Sequence, residues 1–121
     1  SLLILTGFTS KGDIENKKES LIKSGIIYLE NKTSLNVVIS VRFMDMDGDW
    51  VTKHKKVKAH DYEYGWETDN KIIYYYAVDT HGYGREVKGT DKYYRNYYQT
   101  KVGFIRHKFS SLDNLTITIL E

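Results

Sequence analysis

The stretch from residue 36 to residue 51, NVVISVRFMDMDGDWV, limits the possible folds more than any other part of the chain. Its apolar side chains alternate along an extended backbone, and those on one side are Val37, Ile39, Val41 and Phe43. A two-residue period rich in β-branched side chains is typical of a strand with one buried face. Residues 45–49 then supply Asp and Gly, which favour a tight turn. The stretch therefore predicts a β-hairpin that returns through Trp50.

Other stretches with strand character recur along the chain at intervals of about ten residues. They cover residues 25–30, 50–58, 71–79, 93–98, 102–109 and 115–120. Residues 50–58 carry several lysines and fit an edge strand, whereas residues 71–79 are apolar on both sides and fit an interior strand. Residues 59–70 are interpreted as a loop. No helical period stands out, so the sequence predicts an all-β, single-domain antiparallel β-sandwich of about seven to eight strands, with a small β-barrel as the alternative.

The first twenty residues differ from the rest, which divides the chain into residues 1–20, an N-terminal strand and polar tether, and residues 21–121, the sandwich domain. The apolar start is either a first strand or the remnant of a secretory signal. A third interpretation is a strand that pairs with the sheet of a neighbouring subunit. The residues of this candidate assembly strand are Leu2, Leu3, Ile4, Leu5 and Phe8.

The composition excludes several kinds of chemistry. The chain has no cysteine, which removes disulfides, thiolate metal ligands and a cysteine nucleophile. A formal net charge of +2 does not indicate nucleic-acid binding, and no apolar run reaches the roughly 20 residues that span a membrane. The four histidines are scattered and no G-x-S-x-G turn occurs. We therefore expect no catalytic residues, no cofactor and no enzyme, with a metal-dependent hydrolase as the alternative if acids and histidines converge.

Three alternating carboxylates, Asp45, Asp47 and Asp49, have the spacing of the first ligands in a calcium loop. The remainder of the loop pattern is missing, because Lys56 stands at the twelfth position, where a bidentate acid is expected. A calcium site and a plain hairpin turn remain the two interpretations.

Tyrosine is unusually frequent, with 11 copies in 121 residues. Tyrosine favours strands and protein interfaces. Aromatic residues near predicted turns and loops are the candidate contacts to a protein or glycan partner. They are Trp50, Tyr62, Tyr64, Trp66 and Tyr83.

Three segments together resemble the DUF1036 family of small, mostly bacterial proteins. They are the turn Asn31–Ser34, the segment Asp47–Thr52, and the strand containing Tyr74–Ala77 followed by Asp79 and Gly82. Lys55, Lys56, Ala59 and His60 stand roughly where that family tends to have a tryptophan pair and a Pro-Gly turn. The resemblance implies a compact β fold that is often exported, and it implies no activity.

These observations favour a non-enzymatic β-sandwich, secreted or located at the cell surface or in the periplasm, that recognises a protein or a glycan through an aromatic surface. A self-assembling filament subunit, joined through the N-terminal strand, is the second hypothesis. A metal-dependent hydrolase is the third.

Overall fold

The structure, a computed structural model, describes residues 24–113 and 115–121. That part of the chain is built from strands and turns and contains no helix, which confirms the all-β prediction. The strands are β1 (Gly25–Asn31), β2 (Val37–Met44), β3 (Trp50–Val57), β4 (Tyr62–Thr68), β5 (Ile72–Asp79), β6 (Glu86–Val87), β7 (Lys92–Arg95), β8 (Lys101–Lys108) and β9 (Leu115–Ile119).

The strands form two sheets that pack as a sandwich. One sheet has three strands in the order β4-β1-β9, and the other has the order β3-β2-β5-β8-β7, with β6 pairing with β5. The β2–β3 hairpin, the edge position of β3 and the interior position of β5 agree with the sequence interpretation. The sandwich is not purely antiparallel, because β1 and β9 run parallel. A parallel pair needs a long crossover, and here the whole six-stranded sheet lies between the two strands in the chain.

The prediction of a loop at residues 59–70 is wrong for most of that range, since β4 occupies Tyr62–Thr68. Tyr, Trp and Thr suit a strand, but Gly65 interrupts the run and is a strand-weakening residue. β4 is nevertheless a strand, because it pairs with β1 on both sides of a register shift between Ile27 and Tyr28.

The core lies between the two sheets. Alternate side chains of β1, β2, β5 and β9 meet there, among them Ile27, Leu29, Ile39, Val41 and Ile117, each 4% exposed or less. Burying an aliphatic side chain of this size stabilises the fold by about 1.5–3 kcal/mol. Ile39 and Val41 are among the side chains that the two-residue period assigned to one face of β2.

The six-stranded sheet curls into a half-barrel. In a flat sheet of this order β3 and β7 would lie about 19 Å apart, since neighbouring strands are about 4.8 Å apart. Instead, the His54 ring on β3 lies 6.0 Å from the ring of Tyr97, which follows β7. The curl buries a second set of side chains on the concave face of the sheet, including Val38, Ser40, Tyr76 and Phe104. As a result β2 is buried on both faces, whereas its sequence predicts one buried face.

The candidate assembly strand, Leu2 to Phe8, and the polar tether lie outside the described residues. The described part of the chain contains no helix that is long and apolar enough to cross a bilayer.

Candidate recognition surface

Three tyrosines form a platform on the outer face of the three-stranded sheet. Tyr28 on β1 pairs directly with Tyr64 on β4, and Tyr62 lies diagonally next to them. The rings of Tyr28 and Tyr62 stack at 5.4 Å, and Tyr64 meets Tyr28 edge-on at 6.1 Å. Tyr62 and Tyr64 are 53% and 50% exposed, so the sheet holds both rings in place while solvent reaches them. We call Tyr28, Tyr62 and Tyr64 the tyrosine platform.

A β-bulge at Gly65 decides which aromatic side chains belong to this platform. Ile27 pairs with Trp66 and Tyr28 pairs with Tyr64, so Gly65 is the extra residue on β4. Residues two apart on a regular strand point to the same face, but the inserted residue places Tyr64 and Trp66 on opposite faces. Trp66 packs against the core, where its ring stacks on Phe43 at 5.5 Å.

Within its own sheet the rim of the tyrosine platform is acidic, while Lys53 of β3 lines a groove beside Tyr64 and Glu67. Glu30 pairs with Tyr62 across the strands, and Glu67 pairs with Ile26 on the same outer face. Glu30 accepts a hydrogen bond of 3.1 Å from the Thr118 hydroxyl on β9. The sequences of β1, β4 and β9 contain no lysine and no arginine.

Trp50 lies in a different part of the molecule. It is half-buried at the start of β3, and its ring lies 6.0 Å from Tyr74 of β5. A chain of aromatic contacts continues from Tyr74 to Tyr94 at 5.8 Å and from Tyr94 to Phe104 at 5.2 Å. Trp50 therefore belongs to the concave face of the six-stranded sheet.

Tyr83 lies in the loop that follows β5, and it is 67% exposed. Its ring stacks on His81 at 5.6 Å with an interplanar angle of 10°. Asp79 organises this loop, because its carboxylate accepts hydrogen bonds from the backbone N–H groups of His81, Tyr83 and Arg85 at 2.7–2.9 Å. Burial by itself would raise the pKa of Asp79, but these hydrogen bonds to the charged form lower it below its ordinary value.

The acidic hairpin turn is closed by its own first residue. One carboxylate oxygen of Asp45 accepts hydrogen bonds from the backbone N–H groups of Asp47 and Asp49, each at 2.9 Å. Gly48 adopts a φ of 86°, the left-handed region that glycine tolerates. Within residues 24–113 and 115–121, no group of three His, Asp or Glu side chains is placed to hold a metal ion, so Asp45, Asp47 and Asp49 do not form one.

The concave face carries both cations and rings. The Arg42 guanidinium lies 4.9 Å from the centre of the Tyr94 ring, and Lys56 Nζ lies 5.1 Å from that of Tyr97. His54 shares a hydrogen bond of 2.8 Å with the Ser40 hydroxyl, and burial lowers the pKa of His54. Burial and a hydrogen bond to the Glu86 carboxylate raise the pKa of Tyr76, so its hydroxyl donates and stays protonated.

A small cleft opens at one end of the sandwich. It has a volume of about 150 Å³, and Leu35, Val37, Asp79, Arg85 and Glu121 are among its lining residues. Small-molecule sites commonly span about 300–1,000 Å³. Asp79, the acid at its wall, is engaged with the backbone of its own loop, so the cleft offers no free carboxylate at that position.

The five aromatic residues predicted as contacts thus do not form one surface. Tyr62 and Tyr64 lie together on the tyrosine platform, Trp66 packs against the core, Trp50 lies on the concave face and Tyr83 lies on a loop. Sequence reasoning missed Tyr28. Its signal was present, because in the alternating strand GIIYLE the residue shares a side with Ile26 and Glu30, opposite Ile27 and Leu29.

Comparisons of the chain with protein-family models, curated proteins and solved structures each find no match. The resemblance to the DUF1036 family stays a prediction.

Proposed function

We propose that this protein is a non-enzymatic recognition module that binds a partner protein through the tyrosine platform. The observation that carries the proposal is the arrangement of Tyr28, Tyr62 and Tyr64 on an exposed sheet face, where the Tyr28 ring contacts each of the other two rings. Tyrosine is enriched in protein interfaces because it offers a large contact area at a small cost in side-chain entropy. The strands behind the rings fix their positions before binding, which reduces the entropic cost of association.

The arrangement of the rings favours a protein over a glycan as the partner. Sugars bind aromatic residues by lying on an open ring face, but Tyr28 and Tyr62 already cover one face of each other. The surface instead has an apolar centre and a polar rim that includes Glu30 and Glu67, the layout typical of a protein interface. The absence of lysine and arginine from the three strands means that the partner should present basic groups. An exported location, implied by the family resemblance, remains part of the proposal.

The test compares variants of the tyrosine platform with a control of equal exposure. Tagged wild-type protein captures partners from an extract, and the captured protein is then purified and titrated in a direct binding assay. Tyr62→Ala and Tyr64→Ala should each weaken that binding by at least about thirtyfold, the size expected of an interface hot spot. Tyr62→Phe should stay within a few-fold of wild type, because it keeps the ring.

Tyr93→Ala is the matched control, since Tyr93 is 52% exposed and lies on the other sheet. Its binding should equal that of wild type. If Tyr93→Ala and Tyr62→Ala lost binding equally, the tyrosine platform would not be the binding surface. A glycan array run with the same proteins addresses the other ligand class, and glycan binding that depends on Tyr62, without a protein partner, would replace the proposal.

The filament hypothesis through Leu2, Leu3, Ile4, Leu5 and Phe8 concerns residues outside the described part of the chain. Deletion of residues 1–9 tests it directly, because assemblies seen by light scattering should then disappear.

A further inference from the structure

The two sheets carry charges of opposite sign. The strands of the three-stranded sheet contain Glu30, Glu63 and Glu67 and no basic residue. The strands of the six-stranded sheet contain two acids, Asp79 and Glu86, and the following basic residues: Arg42, Lys53, Lys55, Lys56, Lys92, Arg95, Lys101, Arg106 and Lys108. The formal net charge of +2 conceals this separation, because it averages over both sheets.

The basic residues of the concave face have few carboxylates near them among the described residues; one is Asp91, whose carboxylate accepts a hydrogen bond of 2.8 Å from the backbone N–H of Arg106. The strand register places Arg42 and Arg106 on the same face of the sheet as Tyr74. Lys56 lies on that face as well, and its ammonium group lies over the ring of Tyr97, which also contacts His54. The one acid on these strands that faces the same way, Glu86, accepts a hydrogen bond from Tyr76 and pairs with Lys88 at 3.5 Å. Its charge is therefore already engaged.

Arg42 is the clearest case of unused binding capacity. Among the described residues, its guanidinium has one hydrogen bond, a long one of 3.3 Å to the Thr52 hydroxyl, and its ring partner is Tyr94. Its Nε is buried without a hydrogen-bond partner in the part of the chain that the structure describes, so a second copy would have to meet its terminal nitrogens. Arginine is suited to carboxylates, because its donors match the two oxygens.

We propose that the rim of the concave face, where Lys56, Tyr97 and Arg106 are exposed, binds the acidic tyrosine platform of a second copy of this chain. The inference rests on the proposed function and names the partner of the tyrosine platform. Glu30 and Glu67 supply carboxylates to Arg42, Lys56 and Arg106, and Trp50 and Tyr97 add apolar contact. The two surfaces lie on the opposite outer faces of the sandwich, so each copy keeps one of them free. Such a head-to-tail contact does not close on itself and extends into a linear chain of copies.

The first experiment measures sedimentation velocity of the full chain at several concentrations, in about 0.05 M and about 0.5 M salt. Exposed charges more than a Debye length apart are screened, and that length falls from roughly 14 Å to roughly 4 Å between these conditions. The weight-average sedimentation coefficient should rise with concentration in low salt and stay at the monomer value in high salt. A monomer at every concentration in low salt overturns the inference.

Charge reversal then identifies the surfaces. The double variant Glu30→Lys with Glu67→Lys, and the double variant Lys56→Glu with Arg106→Glu, should each remain monomeric, because both surfaces of each variant then have the same sign. An equimolar mixture of the two should associate again, since each variant complements the other. Lys101→Glu is the matched control: Lys101 lies on β8 like Arg106 but on the opposite face, so this variant should associate like wild type. Association of either double variant alone, or a mixture that stays monomeric while wild type associates, contradicts the proposed pairing.

The outcomes separate this inference from the proposed function. A wild-type monomer that binds another purified protein through Tyr62 overturns self-association and leaves the recognition function standing. A third outcome is self-association that persists in the double variant Tyr62→Ala with Tyr64→Ala and is still lost on charge reversal. In that case the charged faces pair with each other and the tyrosines take no part in the contact. Circular dichroism of each variant verifies the fold before either conclusion is drawn.

Discussion

Gly65 lies so close to Ile27 that a Cβ on Gly65 would come within 2.5 Å of the Ile27 carbonyl oxygen. This approach of two backbones exists because Gly65 is the extra residue of the bulge between β4 and β1. The bulge sends Tyr64 outward to the tyrosine platform and Trp66 inward to Phe43. One glycine thus assigns two aromatic side chains to opposite sides of a sheet.

Gly65→Ala should therefore destabilise the protein by about 1–3 kcal/mol, since the new methyl group forces the two strands apart. Urea unfolding measures the change in free energy, and tryptophan fluorescence should shift because Trp66 loses part of its packing. Gly48→Asn is the control: a Cβ at Gly48 meets nothing within 4 Å, and asparagine tolerates its positive φ, so the cost should be a few tenths of a kcal/mol. Equal stability of Gly65→Ala and wild type would contradict the bulge.

Truncation should distinguish the two aromatic residues that flank Gly65. Trp66→Ala removes a half-buried ring stacked on the fully buried Phe43, and the expected loss is about 2–4 kcal/mol. Tyr64→Ala removes a ring that is 50% exposed, and the expected loss is below about 1 kcal/mol. Urea unfolding of both variants under the same conditions gives the comparison. A larger loss for Tyr64→Ala than for Trp66→Ala would reverse the assignment of the two faces.

His54 should make the stability of the protein fall at mildly acidic pH. Burial lowers the pKa of His54 below its ordinary 6.5, so the unfolded chain binds this proton more readily than the folded chain. The free energy of unfolding should decrease as the pH falls from above 6.5 through the lowered folded-state value. Melting temperatures of wild type and His54→Gln between pH 8 and about pH 5 isolate the effect. Their difference should change with pH in that range, and a constant difference would exclude the contribution.

Asp79 should make the stability of the protein depend on pH in a more acidic range than His54 does. Despite its burial, backbone hydrogen bonds hold the pKa of Asp79 below its ordinary 3.8, and the folded chain therefore releases this proton more readily than the unfolded chain. Its stabilisation is complete above the ordinary value and is lost as the pH falls through the lowered one.

Asp79→Asn should accordingly lower the melting temperature at neutral pH, and the difference from wild type should shrink below about pH 4. Differential scanning calorimetry at pH 7 and at pH 3 provides the measurement. Thr80→Ala, in the same loop, serves as a control for general loop effects, because among the described residues the Thr80 hydroxyl makes one long hydrogen bond of 3.3 Å, to the Asn36 carbonyl oxygen. A difference between Asp79→Asn and wild type that does not depend on pH would contradict this account.

The amino-acid sequence determined most of the strands, β4 excepted, and many of the side chains that enter the core. The alternation of Val37, Ile39, Val41 and Phe43, the turn at residues 45–49 and the lysines of β3 are local features, and each predicted its element. The period of two along one strand is enough for this, because neighbouring residues of an extended chain point to opposite faces.

The tertiary structure decided which faces and which strands meet. The parallel pairing of β1 with β9 joins segments far apart in the chain, and the curl of the six-stranded sheet buries Val38 and Ser40 on a face that the pattern left to solvent. The separation of Tyr64 from Trp66 depends on contact between Gly65 and Ile27. These features result from pairing between distant residues, which the local period of a strand does not encode, and they are what place the tyrosine platform and the basic concave face on opposite sides of the sandwich.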